Sequence, residues 1–552
     1  MTIEQLTGGE SLIRSLLRHG VDTMFGLPGV QTYSIFDALL RHDDKIKTYF
    51  SRHEQGAGYM ALGYARSTGK PGVYCVVPGP GVLNSTAALA TAWGCNEPVL
   101  CITGQVPSEF IGRRRGHLHE LPDQLATLKS LVKWAARVDQ PGDAPALVDE
   151  AFRQMTSGRP GPVVLEMAWD VLRNPGPVSF GPPIHAPQTL PADAGLIDQA
   201  AKLIVDAEKP LIMVGSGALH AREPVLALGE MLDAPVGAYR SGRGVVSEEH
   251  ELGVNCSQAL ELWPDTDLLI AVGTRLEGPY LRWADRDKMI DRADHPKLIR
   301  IDIDPLEHTR LKPHVGVVGD SHESVTKLVE ALRGRVSADP TRRTRIAEAK
   351  AVVNRTMQEV QPYTDYLKVI REAIPRDGIL VEEICQAGFA SYFAYPIYEP
   401  RKFVSSGFSG TLGFGYPTSL GVKAAHPDKA VVSLNGDGGL MFGLPELAAA
   451  VQHGLGVIGI VFNNHGYHNV RRGQKNIYDG RVMGSDLHTP DFAGVAQNFG
   501  AAGYRVDSPE GLAPVLEQAI ADDVPALIEV AMVKDAESSP WPMLTPFPGP
   551  NR

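Results

Sequence analysis

The chain has 552 residues, 43% hydrophobic and 21% charged; that length exceeds one core and that balance is globular, so a single small module, a disordered chain and a fibre are excluded. Its 53 Lys and Arg against 64 Asp and Glu leave a formal charge of −11, which aids solubility and argues against nucleic acid or an anionic membrane as partner. Five cysteines without a C-x-x-C pair argue against a disulfide framework or structural zinc site and point to a reducing, cytoplasmic setting.

In chain order, Thr7 can cap a helix with Glu10 three residues on, Leu12, Ile13, Leu16 and Leu17 form its apolar stripe, and Gly20 can close it. Strand-like runs follow at Val21–Phe25, Lys47–Phe50, Gly72–Val77, Val99–Thr103 and Pro162–Met167, separated by helical lengths. A proline-rich connector at 171–194 reads as a boundary between units. A second block, 195–334, has strand candidates Pro210–Val214, Leu268–Val272 and Leu298–Ile303, and a polar, basic stretch over 335–363 reads as a helical linker. The third block, 364–535, has strands expected at Ile379–Val381, Ala430–Leu434, Val457–Phe462 and Ala526–Val530, and a tail covers 536–552. This alternation predicts an α/β chain of three doubly wound parallel-sheet domains, 1–170, 195–334 and 364–535, with ligands at strand ends. No run approaches the ~18 apolar residues of a membrane span, and the opening Met-Thr-Ile-Glu-Gln lacks the pattern of a secretory leader.

Chemistry concentrates in the third block. The run Ala430-Val-Val-Ser-Leu-Asn takes an apolar strand into Gly436-Asp437-Gly438-Gly439, a loop where a carboxylate can meet a cation and glycines admit phosphate oxygens. Alone, such a triplet is more often a tight turn with an Asp cap. A helical stretch and the strand Val457–Phe462 follow, ending in Asn463-Asn464. In a right-handed βαβ unit these two strand ends are neighbours, so Asp437 and Asn464 can share one hard cation with room for phosphate oxygens, which suits Mg²⁺.

Gly436-Asp437-Gly438 through Asn463-Asn464 resembles the motif of thiamine diphosphate-dependent enzymes. Two further features carry the resemblance: Ser51-Arg-His53-Glu54-Gln55-Gly56 after a strand, and Gly410-Thr411-Leu412-Gly413-Phe414-Gly415 ahead of the motif. Supporting stretches are Phe25-Gly26-Leu27-Pro28-Gly29-Val30-Gln31, Gly79-Pro-Gly81-Val-Leu-Asn84, Ile301-Asp302-Ile-Asp304-Pro305 and the tail Pro540-Trp541-Pro542-Met543. The likeness runs over nearly the whole chain and is strongest to the group of acetolactate synthase, benzaldehyde lyase and 2-hydroxyacyl-CoA lyase.

The resemblance implies a pyrimidine-binding N-terminal domain, a central domain and a diphosphate-binding C-terminal domain, with the cofactor between two subunits of a homodimer or homotetramer. By it, Glu54 faces the cofactor's aminopyrimidine as part of a general-base step. The Gly410 carbonyl and the Leu412 wedge shape the cofactor, and Gly436, Asp437, Gly438, Gly439, Asn464, Gly466 and Gln386 line its diphosphate. The metal ligands are Asp437, Asn464 and the Gly466 carbonyl. Gln31 and His119 match two proton-relaying positions of benzaldehyde lyase with identities exchanged, and together with Glu54 they form the catalytic set. A surface role for His119 is the bland alternative; His465, His468, Arg471 and Arg472 are weaker candidates.

Departures from the family narrow the substrate only partly. Where acetolactate synthases place a selecting tryptophan nine residues past the second Asn, this chain has Gly473; Arg275 is kept, but its partner position is Pro279. Leu252-Gly-Val-Asn255-Cys256-Ser257 replaces the segment that borders FAD in the flavin-bearing members, so no FAD is expected. The G-x-G-x-x-G fingerprint fails at His220, and Gly69-Lys70-Pro71 is no phosphate loop. The implied reaction is C–C bond cleavage or formation beside a carbonyl: a 2-keto acid decarboxylase or carboligase, with 2-hydroxyacyl-CoA or acyloin lyase as the alternative. Substrates would be a keto acid, aldehyde or acyl thioester. From another class, a non-catalytic cofactor-binding homologue is disfavoured by the intact Glu54.

Overall fold

The computed structural model describes residues 2–182, 191–283 and 296–546. Within them stand three six-stranded sheets, all parallel, plus a two-stranded antiparallel ribbon. The N-terminal sheet runs Lys47–Phe50, Thr23–Gly26, Gly72–Val76, Val99–Gln105, Val163–Ala168, Trp134–Val138 from edge to edge. The central sheet runs Gly253–Val254, Val236–Gly237, Pro210–Val214, Leu268–Val272, Lys297–Asp302, Val315–Val318. The C-terminal sheet runs Phe403–Val404, Ile379–Glu382, Val431–Gly436, Val457–Asn463, Ala526–Ala531, Ala502–Val506.

Numbered within each unit, the outer two sheets share the order 2-1-3-4-6-5, whereas the central one is 3-2-1-4-5-6. Each order reverses beside its first strand, between strands 1 and 3 in the outer sheets and 1 and 4 in the central one, and in doubly wound sheets the crevice for a ligand opens at such a point. Inner strands such as Val457–Asn463 are apolar along their whole length and buried on both faces, as helix-covered parallel strands require.

The outer units meet chiefly along the helix pair Glu54–Thr68 and Gly415–Ala425. Gly63 and Gly421 make this possible: a Cβ on either would lie 2.1 Å from the Thr418 carbonyl oxygen or 1.8 Å from that of Met60. Around the pair, one apolar cluster runs from Tyr59 and Met60 to Phe414 and Leu420. The helix that begins at Glu54 is therefore seated on the C-terminal unit of its own chain.

Thr7 caps the first helix as expected, its hydroxyl accepting from the Glu10 amide at 3.2 Å. Several strands escape the sequence pattern. Val236–Gly237, Gly253–Val254 and Phe403–Val404 have two residues each, too few to show a period. Trp134–Val138 carries two alanines and an arginine on a sheet edge, a composition that does not favour a strand. The proline-rich connector contains one too: Pro175–Val178 pairs antiparallel with Glu4–Thr7, and a two-stranded ribbon has only edge positions, where proline is tolerated. Residues 183–190 of that connector, with its His-Ala-Pro, and the last six of the tail lie outside the described residues. The basic linker forms the helix Pro340–Thr356.

Candidate active site

At the reversal point of the C-terminal sheet, the strands Ile379–Glu382 and Val431–Gly436 lie side by side, and their exits lead into a cavity of about 260 Å³. Gly410, Leu412, Gly436, Asp437, Gly438, Gly439, Asn464, Gly466 and Gln386 all line it. Four separate chain segments thus deliver the whole expected cofactor set to one place. Two of its glycines are sterically required, since a Cβ at Gly438 would lie 2.4 Å from the Tyr467 ring and one at Gly439 2.6 Å from the Glu383 carboxylate.

Asp437 is buried, opens the helix Asp437–Gly443, and accepts the Gly466 amide at 3.0 Å. Burial raises its carboxyl to about 6, against the pull of the Gly438 and Gly466 amides. The nearby His465 pulls in the same lowering direction, and among the described residues no cluster of three or more His, Cys, Asp or Glu could hold a metal ion. Among the buried polar atoms of cavity-lining residues, the Asn464 Oδ1 acceptor, the Gln386 Nε2 donor and His468 Nδ1 lack partners. An orphan acceptor beside a buried carboxylate suits a hard cation, and an orphan donor suits an anion. The residues therefore fit a metal bound together with a diphosphate.

Gln386 stands at the first position of the helix Gln386–Ala394, whose N-cap is the Cys385 sulfur, accepting from the Gly388 amide at 3.3 Å. Its Oε1 accepts from Arg472 at 3.3 Å. The loop carrying Leu412 has left-handed backbone at Gly410 and Gly413, with φ of 53° and 79°. It is tied down by a residue the sequence did not single out: the Gly413 amide donates to the buried Glu383 carboxylate. Burial pushes the Glu383 carboxyl up to about 8, and the neighbouring Glu382 adds to this. Leu412 itself is half-buried, leaving an apolar side chain facing the cavity.

The expected catalytic set lies on the N-terminal sheet. Gln31, 1% exposed, follows the strand Thr23–Gly26 at that sheet's own reversal point. Its Oε1 is 3.0 Å from His119 Nδ1, and its Nε2 donates to the Leu118 carbonyl at 3.1 Å. His119 holds a left-handed φ of 67° against Gly79, where a Cβ would lie 2.4 Å from the His119 carbonyl oxygen. Glu54 opens its helix, half-buried, with one oxygen accepting from Asn84 at 3.0 Å. None of these three lines the cavity of the same chain.

The weaker candidates divide. His468 lines the cavity, buried, with Nε2 3.1 Å from Asp535 and 3.3 Å from Glu537. His465 bonds Thr489 at 2.6 Å. Arg471 is engaged by Asp486 and Asp535 at the surface. Arg275 belongs elsewhere, to a second cavity of about 450 Å³ between the N-terminal and central units, where it bonds Asn96 at 3.2 Å. Trp541 of the tail donates to Asn469 at 2.8 Å and its ring is 4.9 Å from Phe389.

Comparison with known proteins decides the family. Residues 6–127, 197–328 and 383–530 match the N-terminal TPP binding domain, the central domain and the C-terminal TPP binding domain of thiamine pyrophosphate enzymes. The chain belongs to the thiamine pyrophosphate enzyme family. An acetolactate synthase of Arthrospira platensis is 33% identical, the match covering 99% of this chain and 97% of that protein. An acetolactate synthase large subunit of Haemophilus influenzae is 30% identical over 94% of this chain and 92% of its own. A probable 2-ketoarginine decarboxylase of Pseudomonas aeruginosa is 31% identical over 90% and 89%. The protein is thus a thiamine pyrophosphate-dependent enzyme of the acetolactate synthase group, with the expected α/β fold in each of three units.

Sequence reading missed Tyr363, Glu383 and Glu537 around the site. The adjacent Glu382-Glu383 at the end of an apolar strand was the available signal, since two carboxylates there are either solvated or held for a purpose. Among the described residues no helix is long and apolar enough to cross a membrane.

Proposed function

We propose that the protein cleaves a 2-keto acid beside its carbonyl, releases CO₂, and passes the remaining carbon unit to a proton or to an aldehyde or keto acid acceptor. The observation that carries this reading is the orphan pair Asn464 Oδ1 and Gln386 Nε2 flanking buried Asp437 in one cavity. Bound there, thiamine diphosphate supplies a nucleophilic carbon and an electron sink for the bond that breaks. Asp437, Asn464 and the Gly466 carbonyl hold Mg²⁺, Gln386 the diphosphate, Gly410 and Leu412 the rings. Glu54 holds the proton at the aminopyrimidine, and His119, positioned by Gln31, exchanges one with the substrate oxygen. The similarity to acetolactate synthases and to a probable 2-ketoarginine decarboxylase supports the keto acid as donor.

Glu54 does not line the cavity of its own chain, which supports a partner subunit as its source and a homodimer as the smallest active unit. Exposed apolar side chains beside the motifs favour this: Leu83 at 39%, Leu118 at 59% and Phe442 at 58% exposure adjoin Asn84, His119 and the Gly436–Gly439 loop. The units would span 1–170, 195–334 and 364–535, joined by the 171–194 and 335–363 linkers and closed by the 536–552 tail. The protein would work without FAD, nucleic acid or membrane, in the reducing cytoplasm that its five unpaired cysteines suit.

The contact between Gln31 and His119 favours a second reading, an acyloin or 2-hydroxyacyl-CoA lyase, since both match relay positions of benzaldehyde lyase. A panel of 2-keto acids, acyloins and 2-hydroxyacyl-CoAs, with thiamine diphosphate and Mg²⁺ added, separates the two. CO₂ from keto acids is expected; aldehyde from acyloins or thioesters with no CO₂ would replace the first reading by the second.

A further inference from the structure

The amide of Asn464 is held by the C-terminal tail. Its Nδ2 donates to Glu537 Oε1 at 2.8 Å, across 73 residues of chain, while its Oδ1 is buried without a partner on the cavity wall. Both residues are nearly inaccessible, at 6% and 7% exposure. A carboxylate only accepts, so it takes the NH₂ end of the amide and turns the oxygen the other way. Without that acceptor, the amide could present either end to the cavity.

The tail segment is itself braced. Arg472 donates to the Glu537 carbonyl at 3.4 Å, the Ser538 amide donates to the Gln361 carbonyl at 2.8 Å, and His468 lies 3.3 Å from the Glu537 carboxylate. Further on, Ser257 donates to the Met543 carbonyl at 2.6 Å and Trp283 to that of Leu544 at 3.1 Å. These bonds anchor the tail to the central unit and the C-terminal unit at once. The position of a carboxylate beside a cation ligand therefore depends on the seating of a terminal segment.

We infer that Glu537 is a positioning residue for the cation: it acts through Asn464, fixing the amide so that Oδ1 faces the diphosphate cavity, and thereby makes Mg²⁺ affinity depend on the docked tail. The inference rests on the reading of that cavity as a Mg²⁺-diphosphate site. Partners of this outer kind typically carry about 10–100-fold in metal affinity.

The test is calorimetric titration of Mg²⁺ into the full-length protein saturated with thiamine diphosphate, for wild type, Glu537→Ala and Glu537→Gln, with thermal unfolding of each unliganded variant. Glu537→Ala is expected to weaken Mg²⁺ binding by about 10–100-fold. Glu537→Gln keeps an oxygen that accepts from Asn464 Nδ2, so it should stay within about 3-fold of wild type, the scatter within which such contributions vary with context. Glu537→Ser serves as the deletion if Glu537→Ala does not fold. An affinity in the deletion variant equal to wild type, or an equal loss in the Gln and deletion variants, overturns the inference. A wild type that takes up no Mg²⁺ with the cofactor overturns the cavity reading along with it.

Discussion

Nδ1 of His119 lies 3.0 Å from Oε1 of Gln31, although 88 residues separate them in the chain. Gln31 is fixed in turn by the Leu118 carbonyl, so its oxygen has one orientation and the imidazole is held at one nitrogen. In the proposed function the other ring nitrogen meets a substrate oxygen. His119→Ala should lower kcat/KM by about 10²- to 10⁴-fold, the span of general acid–base groups, without changing cofactor affinity. Steady-state kinetics beside a thiamine diphosphate titration reads both; an unchanged kcat/KM would remove His119 from the mechanism.

Asp437 is the one buried carboxylate on the cavity wall that the cation would neutralise. Asp437→Ala removes a charged ligand, so cofactor and Mg²⁺ binding should fall by more than the roughly 10–100-fold of an outer-shell change. Equilibrium dialysis of thiamine diphosphate with Mg²⁺ checks this, and retained binding would place the metal elsewhere.

Glu383 couples stability to pH. Its folded-state carboxyl is raised to about 8 by burial, above an ordinary value of 4.5. A raised carboxyl contributes stability that is complete below about 4.5 and is lost as pH climbs through 8, at up to about 1.4 kcal/mol per pH unit in between. Glu446, raised by burial to about 7 although it accepts the Arg52 and His53 amides, adds in the same direction. Cofactor-free protein should melt at lower temperature as pH rises from 5 to 8, and Glu383→Gln should flatten that slope. An identical pH profile in the variant would contradict the assignment.

How far the site was legible depended on how each residue is carried. Asp437 and Asn464 follow neighbouring parallel strands, with Gly436 opposite Phe462 in register, so a single βαβ unit brings them together and spacing alone reveals them. Leu412 and Gln386 come from the same sheet and were reachable through the family resemblance. Glu383 and Glu537 were not: their chemistry comes from burial and from contacts 30 and 73 residues away, which no periodicity encodes. The fold divides in the same manner. Long apolar strands such as Pro210–Val214 and Leu268–Val272 were read at their bounds, while two-residue edge strands exist only because a neighbour offers hydrogen bonds.

In the proposed function, Glu54 of one subunit would activate the cofactor held by the Asp437 cavity of another. The most direct measurement of this is hydrogen–deuterium exchange at the thiazolium C2 of bound thiamine diphosphate, followed by NMR in wild type and Glu54→Gln, each with cofactor binding verified. Exchange in the variant should be slower by at least about 100-fold at undiminished occupancy; exchange at the wild-type rate would contradict the account.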